Sequence, residues 1–298
     1  HVQCTGQHQH FHVEGEAIQR LPTEDGPGGI APERLESALR ICDARHTQGL
    51  HQRIEDTPHV APQGTLWLLY TTARQRAAAN QHVGVRLLLK MGEADAVITG
   101  VTRGFGQTLS EVRRVIDPAP GMTPFGMHIV VGQHHTVFLA DTTVNERPSA
   151  EEMADIAEAS AAVARRMGQE PRVAFLSYSN FGNPRGTWLD PIREAVAILD
   201  ARGVSFEYEG DMAPDVALNP RMAAAYPFSR LSGPANVLVM PGLQAANISA
   251  KLLRELGGDS MIGPILIGME KPVQVAPMVS TASELVTLAV LAASGIAR

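Results

Sequence analysis

Four consecutive apolar residues, Val173-Ala174-Phe175-Leu176, lie between a segment of helical periodicity and a glycine-rich loop, and no other stretch limits the fold as much. A strand that is apolar at every position has no face for solvent. It belongs in a sheet covered by helices on both sides, as parallel sheets are. Ala96-Val97-Ile98, Val237-Leu238-Val239-Met240 and Ile265-Leu266-Ile267 are runs of the same kind, and Val204 to Tyr208 reads as a further strand. Between them, apolar residues recur at helical spacing. The segment after Ser149 is the clearest. Ser149 and Glu152 form a capping box, Met153, Ile156, Ala157, Ser160, Val163, Ala164 and Met167 follow on one face, and Gly168 ends it. Helices are also expected over Arg74 to Met91, Leu109 to Ile116 (stopped by Asp117-Pro118), Leu189 to Ala201, Ala246 to Leu256 and Glu284 to Ser294. Ile129 to Val131 and Thr136 to Ala140 flank Gln133-His134-His135 as a hairpin. From Gly64 onward, strands alternate with helices, which predicts an α/β fold with mainly parallel sheets.

The first ~62 residues are patterned differently. They hold seven of the eleven histidines and several Pro and Gly, and one amphipathic helix is expected over Pro32 to Ala44, on Leu35, Ala38, Leu39 and Ile41. His8, His10 and His12 would share one face of a strand, but no Cys or carboxylate follows at ligand spacing, so no metal is expected. The chain starts without Met and without a signal peptide's charged and apolar regions. That reads as a piece of something longer or as a processed terminus. Two cysteines, Cys4 and Cys42, cannot staple a disulfide scaffold. A net charge of −6 leaves no broad basic footprint for nucleic acid or an anionic membrane. The longest apolar run, Leu285 to Ala293, is interrupted by Thr287 and suits a buried helix rather than a membrane span.

Ligands of open α/β sheets sit beyond the carboxyl ends of the strands, and three loops qualify. Ser177 to Gly186 follows an apolar strand and leads into a helix. Its glycines and the helix N-terminus suit an anion, with Ser179, Asn180 and Arg185 as further donors. An ordinary strand-to-helix connection would look the same. Thr99 to Gly106 carries Arg103 among small residues, and a guanidinium pairs with phosphate bidentately. Arg113 and Arg114 follow, either near that site or as solvated surface charge. Pro241 to Asn247 brings Gln244 and Asn247 to a turn, as ligand contacts or as helix caps. Walker, G-x-G-x-x-G and G-x-S-x-G patterns are absent, Ser177 and Ser179 have no His nearby in sequence, and His134-His135 falls in the hairpin turn.

Taken together, several stretches resemble the phosphate acetyl/butyryltransferase family. They are Gly92-Glu93-Ala94-Asp95-Ala96 with Thr99-Gly100, Asp117-Pro118, Pro171 to Ser179, Glu209-Gly210-Asp211-Met212 with Asp215, Ala235 to Pro241, and Gly263 to Gly268 with Lys271-Pro272-Val273. The match is collinear over roughly residues 66 to 298. Val101-Thr102-Arg103, Val112 to Asp117, Ser179-Asn180-Phe181-Gly182 and Leu243 to Ile248 are similar to one branch, the domain fused behind the catalytic part of bacterial NADP-dependent malic enzymes. True acetyltransferases of the family carry a Ser-Arg pair and a following Asp where this chain has Pro277, Met278 and Glu284. Pro has no proton to exchange and Met no charge to hold phosphate, so the resemblance implies loss of a large electrostatic contribution to catalysis.

What the resemblance implies is then specific. The fold would be two three-layer α/β/α subdomains with mainly parallel sheets and a cleft between them, as in phosphotransacetylases and isocitrate-dehydrogenase-like proteins. Residues 1–147 with 279–298 would form the first and 148–278 the second. Acetyl-CoA or CoA would bind as an effector, walled by Thr102, Arg103, Ser179, Asn180, Phe181, Gly182, Gln244 and Asn247, with no catalytic residue and no metal. The chain would be a cytoplasmic homo-oligomer serving an upstream malic enzyme catalytic domain. An active phosphate acetyltransferase and a purely structural assembly domain remain alternatives.

Overall fold

The computed structural model describes residues 39–43, 66–70, 89–90, 92, 94–101, 103–132, 135–257 and 260–295. In chain order the strands are β1 (Leu39–Asp43), β2 (Leu66–Tyr70), β3 (Ala96–Gly100), β4 (Phe125–Val131), β5 (Thr136–Ala140), β6 (Arg172–Leu176), β7 (Glu207–Met212), β8 (Val237–Val239), β9 (Ser260–Ile267) and β10 (Val273–Ala276). The helices are α1 (Phe105–Val112), α2 (Ala150–Arg166), α3 (Asp190–Arg202), α4 (Pro214–Leu218), α5 (Pro220–Ala223), α6 (Leu243–Leu256) and α7 (Ala282–Ala293). Two compact units result, one of His1–Asp117 with Glu270–Arg298 and one of Pro118–Met269. Among the described residues, no helix is long and apolar enough to cross a membrane. The expected His8 to His12 cluster and all but Leu89 and Lys90 at the end of the expected helix Arg74 to Met91 lie outside the described residues.

The first unit is built on a sheet of order β1-β2-β3-β10 in which every pairing is parallel. β3 and β10 are buried along their whole length. Gly100 ends β3 at φ +117°, and a Cβ there would stand 2.2 Å from the carbonyl oxygen of Ala276, so only glycine lets the two backbones come this close. Residues 39–43 form a strand, not the expected helix. Their backbone pairs with β2 from Leu39 opposite Leu66 to Asp43 opposite Tyr70, and such pairing overrides a weak local period.

The second unit is a six-stranded sheet of order β7-β6-β8-β5-β4-β9. β5, β8, β6 and β7 run parallel, and β4 is antiparallel to both β5 and β9. Phe125, Phe138 and Phe175 are wholly buried in it. α2 begins at the expected capping box, with the Ser149 hydroxyl accepting from Glu152 N and the Glu152 carboxylate from Ser149 N. Arg202 at the end of α3 clasps α2, reaching Glu151 (2.6 Å), Asp155 (2.9 Å) and Glu158 (2.6 Å).

The unit boundaries fall at 117/118 and 269/270 rather than at 147/148 and 278/279. The hairpin β4–β5 pairs with β8 and β9, so residues 118–147 belong to the second sheet, while β10 pairs with β3 and belongs to the first. Two helices also start earlier than expected, α1 at Phe105 and α6 at Leu243. The strand expected at Val204 to Tyr208 is β7, displaced toward Met212.

Candidate functional site

All strands of the first unit point the same way, so β3 and β10 end at one edge. The loop beyond β3 begins with Val101 at φ +64°, whose N–H is held by the Ala276 carbonyl (3.1 Å). A β-branched residue in the left-handed region is strained, and such strain concentrates at functional loops. Thr102 lies outside the described residues. Arg103 is half-buried, and its guanidinium is paired with the Glu111 carboxylate of α1. Arg113 and Arg114 are exposed. Beyond β10, the same edge carries Pro277 and the exposed side chains of Met278 and Val279.

In the second unit, β5, β6, β7 and β8 end together. The loop after β6 holds four of the expected residues, but its polar groups turn inward toward Asp211 at the end of β7. Asp211 is 1% exposed. It receives Gly182 N (3.4 Å) and Arg193 Nε (3.3 Å), and its backbone carbonyl receives Phe181 N (2.7 Å). Burial pushes its carboxyl up, but the Ser179 hydroxyl, backbone N–H groups and Arg193 outweigh burial and hold it below the usual range. Ser179 is fully buried. Asn180 accepts from Ala213 N (2.7 Å) and thereby latches the loop to β7. Phe181 stands at φ +51° with its ring 5.1 Å from Tyr226 and 4.9 Å from Phe228. Gly182 is at φ +90°, and a Cβ there would press on Arg193 Nη2 at 3.3 Å. The carboxylate of Asp211 thus takes the Gly182 N–H that the sequence offers to an anionic ligand.

The loop after β8 gives a different picture. Gln244 is exposed in the first turn of α6, while Asn247 donates to the Thr142 carbonyl (3.2 Å). Leu243 N donates to the Glu146 carbonyl (3.2 Å), and a Cβ on Gly242 would stand 2.9 Å from the same oxygen. The start of α6 is therefore held against the loop after β5. That loop presents Arg147, whose guanidinium lies 5.5 Å from the ring centroid of Trp188. Trp188 is 69% exposed. The sequence placed Asp211 in a family-matching stretch without giving it a role, and gave Arg147 and Trp188 no place at all. The signal for Trp188 was a rare aromatic placed on a loop beyond a strand, where burial does not explain it.

A cavity of about 250 Å³ lies elsewhere, lined by Met212, Val216, Ala223, Tyr226, Leu231 and Pro234 among others. Most of these belong to or pack on the apolar cluster over the sheet, and none of the expected ligand residues lines it. Among the described residues, no group of three or more His, Cys, Asp or Glu is placed to hold a metal ion.

Two α/β units, each with loops gathered at the carboxyl ends of parallel strands, make those loops the candidate ligand surfaces of this fold. Residues 36–293 match the phosphate acetyl/butaryl transferase family, and the chain belongs to it. It is 52% identical over 206 residues to an NADP-dependent malic enzyme of Rhizobium meliloti, a stretch covering 69% of this chain and 27% of that enzyme. A phosphate acetyltransferase of Clostridium acetobutylicum is 34% identical over 196 residues, covering 63% of this chain and 59% of that protein. The chain therefore spans about a quarter of the malic enzyme and less than two thirds of the acetyltransferase. Among solved structures, a phosphotransacetylase from Streptococcus pyogenes superimposes with a TM-score of 0.68 at 32% identity, covering 72% of this chain and 66% of that one.

Proposed function

We propose that this chain is the acetyl-CoA-binding regulatory and oligomerisation domain of an NADP-dependent malic enzyme, and that it does not itself transfer acetyl groups. The observation that carries the reading is the carboxyl edge of β10. Where the family resemblance places a Ser-Arg pair, this edge has Pro277, Met278 and Val279, with Met278 and Val279 exposed. No proton donor or phosphate-holding cation stands in those positions, while glycine-containing loops remain at the carboxyl ends of the parallel strands. The 52% identity to a malic enzyme supports the attachment to an upstream part that oxidises and decarboxylates malate. Self-association is supported by Ile248, Leu252 and Leu256 on α6, which repeat at helical spacing and are all exposed. In this reading the protein works in the cytoplasm, and acetyl-CoA acts by binding two assembly or conformational states unequally.

Calorimetric titration with acetyl-CoA, with acetyl phosphate followed in the same sample, tests the proposal. Saturable binding without turnover is expected. Acetyl phosphate formation at a rate typical of an enzyme would instead make the chain a phosphate acetyltransferase, the reading favoured by the 34% identity to one. Absence of binding would leave an assembly domain.

A further inference from the structure

We infer that Trp188 and Arg147 form a stacking platform for a purine nucleotide. This deepens the acetyl-CoA reading and rests on it only in taking the nucleotide end of CoA as the natural occupant. The indole of Trp188 is large, apolar and 69% exposed. It is carried on a short 3₁₀ turn, Thr187–Leu189, whose Leu189 is buried and anchors it. One face of the ring is covered by the Arg147 guanidinium at 5.5 Å. A cation on one face leaves the other for a flat ring, and bases stack on indole whatever their hydrogen-bonding edge.

Position supports the same chemistry. Arg147 follows β5, and Trp188 follows β6. These strands flank β8 in parallel, so both residues stand at the ligand-binding edge of the sheet. The bond from Leu243 N to Glu146 O brings the exposed Gln244 to the neighbouring turn, where its amide has the donors and acceptors to read a base. Arg147 is itself exposed and offers a forked donor to a phosphate on the ribose. Tyr178 is a second exposed aromatic on the loop after β6 and lies so close over Gly186 that a Cβ there would stand 2.0 Å from its hydroxyl. A base on Trp188 and phosphates at Arg147 together describe a nucleotide, which the acetyl-CoA reading makes the adenosine phosphate of CoA.

The test uses the full chain, whose tryptophans are Trp67 and Trp188. Fluorescence is titrated with 3′,5′-ADP, acetyl-CoA and pantetheine in the wild type and in Trp188→Leu, whose melting temperature confirms that it folds. The Trp188→Leu spectrum supplies the Trp67 background. The platform predicts that 3′,5′-ADP and acetyl-CoA quench Trp188 emission and that pantetheine does not. It also predicts that Trp188→Leu weakens calorimetric binding of both nucleotides on the order of tenfold or more, with Arg147→Ala weakening them too. Acetyl-CoA binding that is unchanged in Trp188→Leu overturns the platform and leaves the acetyl-CoA reading standing. Quenching by 3′,5′-ADP in a protein that does not bind acetyl-CoA upholds the platform and overturns that reading. Trp188 emission that is blue-shifted and protected from acrylamide in the free protein also overturns the platform, because the ring is then covered by another chain.

Discussion

Acidification should destabilise the second unit through one imidazole. His128 lies in β4, between β5 and β9, and is 7% exposed. Its Nδ1 is 2.8 Å from Thr142 Oγ1, and that hydroxyl donates its own proton to the Gly126 carbonyl (3.1 Å). Thr142 therefore accepts from His128, so Nδ1 carries a proton, and the neutral ring is the Nδ1–H tautomer. A second proton would place a charge in a buried strand. Burial, with the charge of Arg254 adding to it, lowers the His128 pKa from 6.5 to about 4. The folded value is below the unfolded one, so the unfolded chain takes up the proton first. Stability is whole above pH 6.5 and declines as the pH falls from there toward 4. At roughly 1.4 kcal/mol per pH unit, most of a total of about 3 kcal/mol is lost by pH 4.5. That is a large share of a typical domain's stability. His128→Asn keeps a donor near Nδ1 and removes the titration. In urea unfolding followed by circular dichroism, the variant should be less stable than wild type at pH 7.5, by about 1–2 kcal/mol from lost packing. The gap should close or reverse by pH 4.5, shifting by about 2–3 kcal/mol. A gap that stays constant across that range would refute the reasoning, because His128 would then titrate equally in both states.

Three further outcomes are expected. Gly100→Ala must place a Cβ 2.2 Å from the Ala276 carbonyl at φ +117° and should cost at least about 2 kcal/mol, whereas Gly106→Ala in α1, where a Cβ meets nothing within 4 Å, should stabilise by about 0.5–1 kcal/mol; thermal melts of both variants check this. Asp211→Asn leaves Arg193 without its close partner and loosens the Ser179 to Gly182 loop, for a loss of about 2 kcal/mol by urea titration at pH 7, less than for a sealed pair because Arg193 is partly exposed. Because the Asp211 pKa is depressed, that difference should persist to mildly acidic pH and disappear only as the pH falls through its folded value. Arg202→Ala removes three carboxylate contacts between α3 and α2 and should cost about 1 kcal/mol at low salt, shrinking when the melt is repeated in 0.5 M NaCl (about 4–5 Å Debye length).

Elements whose local chemistry matched their place in the fold were legible in the sequence. The apolar run of β6, the capping box of α2 and the hairpin β4–β5 carry their own instructions, since burial on both faces, free N–H groups and a short polar turn each demand particular residue types. β7 was displaced because its core positions are charged. Glu209 is buried against Arg230, and Asp211 against Arg193. A carboxylate next in sequence to other polar residues signals solvent unless the distant partner is known. β1 was misread for a related reason: its pairing with β2 is a long-range fact. The boundary at Asp117 depended likewise on which sheet β4 joined.

The loop after β6 shows why a motif alone could not assign the ligand contacts. A glycine-containing strand-to-helix turn offers backbone N–H groups, and those groups can meet an external anion or an internal one. The residue that decides is Asp211, which lies far along the chain and reaches the loop only because β7 pairs with β6. Its charge orders Gly182 and Arg193 without a ligand, so the loop is already set before any phosphate arrives. An incoming anion meets a carboxylate behind the donors, which weakens the backbone cradle. In the proposed reading, recognition of a phosphorylated ligand at this edge falls to exposed guanidiniums such as Arg147 and Arg185, and orientation falls to aromatic surface. A stacked ring supplies attraction that needs no charge. In that reading, an edge whose Gly182 N–H is held by its own carboxylate still selects a nucleotide.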